Sequence, residues 1–186
     1  MALTPRSLPE VTAEDWREGP DDAPVTLLEY GDFECPYCGE AYPVIKQVQE
    51  QMGDRLRFVF RHFPITSSHP HAQLASEAAE AAGAHGKFWL MHDLLYENQR
   101  HLTREDLDRY AQQLGLDLDV FDNALEEHTY KEKVRDSFRQ GIRARVQGTP
   151  TFFINGRRYD GEHTAAAMGV ALEEAISNRE KYGPGI

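Results

Sequence analysis

Stretches of apolar residues alternate with polar ones along this chain, and their lengths predict an α/β protein. The runs at 25–30 and 56–63 are rich in branched and aromatic residues and have the length of buried strands. From 42 to 52, apolar residues recur about every three to four positions, and Gly53 follows. That spacing, followed by glycine, is typical of a helix and its end. This part of the chain therefore predicts a strand, a helix and a second strand.

The middle of the chain keeps the helical spacing throughout. Helices are predicted at 72–84, 88–96, 104–114, 120–128 and 130–146. Thr103 and Asp106 have the spacing of a capping box at the start of the third helix. A helical block between strands predicts an insertion within an α/β fold.

The end of the chain predicts a hairpin and a last helix. Strands are predicted at 151–154 and 157–159, on either side of Asn155 and Gly156, a dipeptide that favours tight hairpin turns. A helix is predicted from 164 to 178. The element order is strand, helix, strand, helical block, hairpin and helix.

The chain has 186 residues, which fits one domain that carries an insertion. Residues 1–23 are rich in Pro, Asp and Glu, and we expect them to form a loosely held arm. We expect residues 24–66 and 147–182 to form one discontinuous domain, with a helical domain of residues 67–146 inserted into it.

Composition narrows the classes of function. The chain is 40% hydrophobic and 27% charged, and it has no apolar run of about 18 residues, the length that a membrane span needs. Its 20 Lys and Arg against 31 Asp and Glu give a net charge of −11, which disfavours binding to nucleic-acid phosphates. The first twenty residues contain no apolar region or cleavage site of a signal peptide. We therefore expect a cytoplasmic protein with neither nucleic acid nor a membrane among its partners.

The only two cysteines, Cys35 and Cys38, stand in the motif Cys-Pro-Tyr-Cys. One pair this close excludes a disulfide framework, and in a reducing compartment it is more often catalytic or metal-binding. Half of a zinc site is the alternative to a redox pair. A zinc site needs a second ligand pair, however, and the chain has neither more cysteines nor two histidines at the usual spacing. We expect a redox pair, with no metal and no cofactor.

The position of the motif explains how such a pair would work. Because it follows a strand and opens a helix, Cys35 falls at a helix N-terminus, where unpaired amides and the helix dipole favour the thiolate. Pro36 suits the first helical position, since it has no amide hydrogen to leave unpaired. We expect Cys35 to attack, and Cys38 to resolve the mixed disulfide from one turn further in.

Three motifs together resemble the DsbA-like branch of the thioredoxin superfamily, in particular its leaderless bacterial members. They are Asp-Phe-Glu-Cys-Pro-Tyr-Cys at 32–38, Val-Gln-Gly-Thr-Pro-Thr-Phe-Phe-Ile-Asn-Gly at 146–156, and, more weakly, Gly-Lys-Phe-Trp at 86–89. The resemblance spans residues 24–182. It implies an α/β thioredoxin fold with an α-helical domain inserted after the second strand, and it implies thiol–disulfide exchange by Cys35 and Cys38.

The resemblance also assigns substrate-binding residues. Pro150 matches the cis-proline that the family places beside its cysteines, which leaves the backbone of Thr149 open to pair with an extended substrate segment. Pro36 and Tyr37, between the cysteines, complete the expected substrate-binding surface. The alternative is an ordinary trans proline that opens a strand.

Glu29 lies six residues before Cys35, where the superfamily commonly has a buried acid beneath the second cysteine. Burial would raise its pKa and suit it to exchange a proton with Cys38. The alternatives are that Glu29 is an exposed strand residue, or that it pairs with a base such as Arg61.

One motif residue departs from the best-known periplasmic members, which have His where this chain has Tyr37. A phenol cannot supply the positive charge that lowers the pKa of the attacking thiol. Glu34, immediately before Cys35, also disfavours the thiolate. We therefore expect a couple less oxidising than the extreme of about −120 mV, close to the glutaredoxin range of about −200 to −230 mV.

The sequence therefore predicts a thiol–disulfide oxidoreductase that acts on protein, peptide or small-molecule thiols and disulfides, with glutathione among the candidate partners. Two alternatives stay open. One is an enzyme similar to the kappa-class glutathione transferases and related isomerases, which generally lack the second cysteine. The other is a chaperone module that binds peptides beside Pro150 without catalysis. His69 and His71 lie near the predicted insertion, and we expect them to cap a loop.

Overall fold

A computed structural model describes residues 9–182. Its strands are β1 (Trp16–Glu18), β2 (Val25–Gly31), β3 (Leu56–His62), β4 (Thr151–Ile154) and β5 (Arg157–Tyr159). Its α-helices are α1 (Pro36–Met52), α2 (Ala72–Gly83), α3 (Phe88–Glu97), α4 (Arg104–Gln113), α5 (Leu118–Glu126), α6 (Lys131–Arg143) and α7 (Ala165–Tyr182). A short 3-10 turn, Gly53–Arg55, joins α1 to β3.

The five strands form one sheet in the order β1-β3-β2-β4-β5. The central strand, β2, is parallel to its neighbour β3 and connected to it through α1, whereas all other neighbouring pairs are antiparallel. The predicted hairpin joins β4 to β5. Asn155 and Gly156 have φ values of 46° and 78°, the left-handed backbone that a tight two-residue hairpin turn requires.

Helices cover the sheet on both faces, so β2 is buried along its whole length. Alternate residues of a strand point to opposite faces. Leu27 belongs to the larger core, together with Ile45 of α1 and Leu172 of α7. Leu28 belongs to a smaller core on the other face, against which Phe138 of α6 packs. Burial on both faces explains why β2 appears in the sequence as a continuous apolar run.

The helical segment α2–α6 follows β3, as the fold prediction requires. The strand β3 is the second strand predicted from the sequence but the third in the chain, because the short strand β1 precedes β2 and β3. The capping box at the start of α4 is present, since the Thr103 side chain accepts from the amide of Asp106 and the Asp106 carboxylate accepts from the amide of Thr103. No helix within residues 9–182 is long and apolar enough to cross a bilayer.

The expectation of a loosely held arm over residues 1–23 is wrong for the part around β1. Trp16 stacks on Phe88 with ring centroids 4.3 Å apart. The side chains of Asp15 and Arg61 are nearly buried and form an ion pair at 2.7 Å. A three-residue strand leaves no periodic pattern in a sequence, and these contacts are tertiary. Residues 1–8 of the expected arm lie outside the described residues.

Candidate active site

Cys35 is the N-cap residue of α1, with φ −71° and ψ 122°, and Pro36 occupies the first turn. The amide of Cys35 donates to the carbonyl of Asp32 at 3.2 Å, and the carbonyl of Cys35 accepts from the amide of Gly39 at 3.1 Å. The extended backbone places the Cys35 side chain at the open end of the helix, where amides without helical partners favour a negative charge.

The environments of the two cysteines differ, although both are free thiols. The Cys35 side chain is surrounded by hydrogen-bond donors, of which the Cys38 thiol is the most important, and together they lower its pKa from the ordinary value of 9.0 to about 5. Burial, followed by the hydrogen bond to Cys35, raises the pKa of Cys38 well above 9.0. At neutral pH, Cys35 is therefore a thiolate and Cys38 a thiol.

A second segment of the chain, 114 residues further on, contacts Cys35. The Cys35 Sγ lies 3.4 Å from the carbonyl oxygen of Thr149. The hydroxyl of Thr149 is buried and has no hydrogen-bond partner within residues 9–182, and the Thr149 side chain helps to lower the pKa of Cys35. The Thr149–Pro150 peptide bond is cis. These contacts arise because β4 pairs with β2, which brings the loop before Thr151 to the end of β2, next to the start of α1.

Glu29 lies in the middle of β2, between Phe60 of β3 and Phe152 of β4. Its side chain is 3% exposed, and burial, followed by the charge of Cys35, raises its pKa from 4.5 to about 8. Arg61 instead binds Asp15. Both alternatives for Glu29, an exposed strand residue and a partner of Arg61, are therefore wrong.

The loop that leads into Cys35 is held by two acidic side chains. The carboxylate of Asp32 is fully buried and accepts hydrogen bonds from the amides of Glu34 and Ile65 and from His69 Nδ1, each at 2.8 Å. Glu34 accepts from the amide of His71 at 2.7 Å and contacts its ring at 2.8 Å. The two histidines thus connect the start of the helical segment to the active-site loop, a role more specific than the loop cap that we expected.

The Asp32 pairing also affects the charge of His69. Burial lowers the pKa of His69, but the hydrogen bond and the charge of Asp32 outweigh that effect, so that the net shift is upward. The thiolate of Cys35 acts in the same direction. The site therefore favours the protonated, positively charged form of His69, whereas the Tyr37 side chain carries no positive charge.

Gln99 was not identified from the sequence. Its side-chain amide donates to the carbonyls of Phe33 at 2.9 Å and of Cys35 at 2.8 Å. A single glutamine in a loop carries no motif or periodic signal, so only the folded structure reveals this contact.

The two residues between the cysteines are exposed. The side chain of Tyr37 is 68% exposed, and Pro36 beside it is exposed as well. The structure thus brings six of the seven predicted site residues to one end of the sheet, with Glu29 buried in the central strand behind them; the six are Cys35, Pro36, Tyr37, Cys38, Thr149 and Pro150. Within residues 9–182, no group of three or more His, Cys, Asp and Glu side chains is arranged to hold a metal ion.

The sheet, the helices α2–α6 that follow β3 and the paired cysteines at the start of α1 define a thioredoxin-fold protein. Residues 12–174 match the model of a protein family described as Thioredoxin. The chain belongs to this family, and the resemblance of its motifs to the thioredoxin superfamily is confirmed.

Solved structures with this fold cover nearly all of the chain. Oxidised BdbD from Bacillus subtilis has a TM-score of 0.78 and 23% identity, and the match covers 87% of this chain and 92% of that one. Wolbachia pipientis alpha-DsbA1 has a TM-score of 0.81 and 16% identity, and the match covers 96% and 98%. The predicted fold class is therefore confirmed.

The chain is more similar in sequence to part of some longer proteins. It is 45% identical over 163 residues to Na(+)/H(+) antiporter NhaA 1 of Salinispora arenicola, a match that covers 88% of this chain and 25% of that protein. It is 42% identical over 161 residues to Na(+)/H(+) antiporter NhaA 1 of Mycobacterium sp. strain KMS, covering 86% and 26%. The chain thus spans about a quarter of the length of these relatives.

Proposed function

We propose that this protein catalyses thiol–disulfide exchange through Cys35 and Cys38. The observation that supports this most strongly is the difference between two neighbouring thiols. Cys35 is 4% exposed at the N-terminus of α1 and has a pKa of about 5, whereas Cys38 is fully buried and has a raised pKa. An exchange enzyme needs one nucleophile ready at neutral pH and one thiol that reacts only after the first bond has formed.

In the reducing direction, the Cys35 thiolate attacks one sulfur of a substrate disulfide, and the other substrate sulfur leaves as a thiolate. Cys38 then loses its proton and attacks the Cys35 sulfur of the mixed disulfide. This step releases the second substrate thiolate and leaves a Cys35–Cys38 disulfide. The oxidising direction is the reverse sequence, which starts when a substrate thiolate attacks Cys35 in that disulfide.

Glu29 is the group we propose to take the proton from Cys38. It is a buried carboxyl group, and in its ionised form it is close enough for its charge to raise the pKa of Cys38. Because its own pKa is about 8, it changes protonation state near neutral pH, as an acid–base group should. The same group returns the proton in the reverse direction.

The surface around Cys35 is the proposed substrate-binding site. The Thr149 backbone beside Pro150 can pair with an extended peptide, in the manner of strand addition. The exposed Pro36 and Tyr37 border Cys35 and provide apolar contact area. This arrangement favours protein and peptide thiols as substrates, and glutathione as a small-molecule partner that needs only the Cys35 end of the surface.

The decisive experiment measures turnover with insulin disulfides, and with reduced ribonuclease, for the wild type, Cys35→Ser and Cys38→Ser. We expect Cys35→Ser to abolish turnover and Cys38→Ser to accumulate a mixed disulfide through Cys35, visible on non-reducing gels. Turnover that survives Cys35→Ser would refute the proposal. Binding of unfolded peptide without any turnover by the wild type would identify a chaperone module instead. Transferase activity with glutathione that persists in Cys38→Ser would favour the kappa-class alternative.

A further inference from the structure

The side chain of Gln99 connects the helical segment to the backbone of the nucleophile. We propose that Gln99 is a positioning residue for Cys35. Its side-chain amide fits in this place because Gly39 has no Cβ. This inference rests on the proposed function, because its effect is on the reactivity of Cys35.

Gln99 lies in the loop between α3 and α4, outside the strands that form the sheet. Its Nε2 donates to the carbonyl of Phe33 at 2.9 Å and to that of Cys35 at 2.8 Å. A side-chain amide nitrogen carries two hydrogens, so both hydrogen bonds form at once. They are made on either side of Glu34, and they therefore fix the backbone that leads into the nucleophile.

The carbonyl oxygen of Cys35 accepts two hydrogen bonds in this arrangement. It accepts from Gln99 and also from the amide of Gly39, the latter at 3.1 Å. A carbonyl oxygen has two lone pairs, and the two donors come from different parts of the chain. The backbone of Cys35 is thus held from the helical segment as well as from α1.

The loop that carries Gln99 is itself anchored. Asn98 Nδ2 donates to the carbonyl of Leu94 in α3 at 2.8 Å. The hydroxyl of Tyr110 in α4 donates to the carbonyl of His101 at 2.7 Å. Contacts to the helices on both sides give Gln99 a defined position from which to hold Cys35.

Gly39 provides a second, independent observation. It lies inside α1, where glycine is less favourable than alanine. A Cβ added at Gly39 would lie 1.9 Å from Oε1 and 2.5 Å from Cδ of Gln99. The backbone of Gly39 is not in the left-handed region, so conformation does not require glycine there. The room that it leaves is filled by the Gln99 amide.

The hydrogen bonds matter for reactivity because the donors around the Cys35 sulfur come from separate segments. The groups that lower the pKa of Cys35 are the Cys38 thiol, the Thr149 side chain in the loop before β4, and the amides of Cys38 and Tyr37 in α1. A small rotation of the Cys35 backbone moves the sulfur away from some of them. We expect loss of the Gln99 contact to reduce the second-order rate constant of exchange at neutral pH about tenfold, well within the effect of a misplacement near 1 Å.

The test uses Gln99→Ala, Gly39→Ala and the double variant of the full chain. Two quantities are measured: the rate of insulin reduction, and the pH profile of Cys35 alkylation by iodoacetamide, read by mass spectrometry. Each single variant should slow exchange about tenfold and shift the alkylation midpoint to higher pH. Gly39→Ala acts only by displacing the Gln99 amide, so in the Gln99→Ala background it should cause no further loss.

Two further variants separate this role from a structural one. Gln99→Glu keeps the shape of the side chain but removes the donor, and it should be as defective as Gln99→Ala. Gln112→Ala changes an exposed glutamine of α4 and should behave like the wild type. Thermal unfolding of each variant shows whether it is folded. Gly39→Ala is expected to fold in any case, because alanine favours the helix.

The inference is wrong if folded Gln99→Ala keeps the wild-type rate and alkylation profile, or if the effects of Gln99→Ala and Gly39→Ala simply add. A wild type without exchange activity would contradict the proposed function instead, so the two failures are distinguishable. Full activity of Gln99→Glu would also overturn the inference, since the carboxylate cannot donate to the two carbonyls.

Discussion

The carboxylate of Asp32 and the imidazole of His69 lie 2.8 Å apart, although 37 residues separate them in the chain. Asp32 is fully buried, whereas the His69 side chain is 18% exposed. The pair joins the loop before Cys35 to the start of the helical segment. Without His69, the buried carboxylate would keep two amide donors but no opposite charge, so His69 is important for the stability of the active-site loop.

His69→Gln should therefore destabilise the protein, and the effect should depend on pH. The raised pKa of His69 means that its pairing contributes fully below the unfolded value near 6.5 and is lost as pH rises through the folded value. We expect a loss of about 1.5 to 3 kcal/mol in unfolding free energy at pH 5.5, and a smaller loss at pH 9. Urea unfolding of both proteins across this range measures the difference. A difference that does not change with pH would contradict the ion-pair role.

The pH dependence of Cys35 alkylation should follow its lowered pKa. For the reduced protein, we expect the rate to rise with a midpoint near 5 and to be constant at pH 7, because the thiolate is the reactive form. Cys38 should remain unmodified up to pH 9, owing to its burial and raised pKa. Iodoacetamide labelling followed by mass spectrometry of the two cysteines measures both. A midpoint near 8.5, the value of a free thiol, would rule out the proposed stabilisation of the thiolate.

Glu29→Gln should slow the step that releases substrate. The amide cannot take the proton of Cys38, so the mixed disulfide should persist about tenfold or more longer at pH 8, where about half of Glu29 is ionised in the wild type. The inflection near pH 8 that Glu29 produces in the wild type should also disappear. Quenched-flow measurement of mixed-disulfide decay gives both quantities. Initial attack by Cys35 serves as the internal control, and unchanged decay kinetics would remove Glu29 from the mechanism.

The reduction potential of the Cys35–Cys38 couple should lie between those of the extreme oxidants and reductants of the superfamily. A nucleophile with a pKa of about 5 falls between thioredoxin, near 7, and DsbA, near 3.5. Their potentials are about −270 and −120 mV, so the expected range of about −200 to −230 mV is consistent with this pKa. A glutathione redox titration measures it, and a wild-type value near −120 mV would contradict the expectation.

Tyr37→His should move that potential towards the oxidising extreme. An imidazolium beside Cys35 stabilises the thiolate of the reduced form and thereby favours reduction of the couple. Tyr37 is 68% exposed, so the substitution does not disturb the core. The same titration should give a less negative value for Tyr37→His than for the wild type, while Tyr37→Phe should leave it nearly unchanged. Equal potentials for Tyr37→His and Tyr37→Phe would show that the charge at this position is unimportant.

Local patterns in the sequence were sufficient for most elements of the fold. The continuous apolar run of β2, the spacing within α1 and the turn at Asn155 and Gly156 each depend on interactions between residues close in the chain. The cysteine motif belongs to the same class, because a thiol at a helix N-terminus next to Pro36 is a local arrangement. The division of the chain into a discontinuous domain and an inserted one remains a prediction, as do the roles of the site residues.

Only the tertiary structure decided the contacts between distant segments. The strand β1 is held by contacts that Trp16 and Asp15 make with distant residues, and no local sequence pattern predicts it. The pairing of β4 with β2 brings Thr149 to Cys35 and buries Glu29, so that the pKa values of the site are properties of the folded chain.

The sequence by itself therefore identified the two residues proposed to carry the chemistry, Cys35 and Cys38 at the start of a helix. The tertiary structure decided which distant residues hold the loop at Cys35: Asp32 with His69, and Gln99 in the room beside Gly39. The physical reason is that a hydrogen bond between side chains far apart in the chain requires a defined fold but no particular spacing. Such contacts are visible only once the strands and helices have packed together.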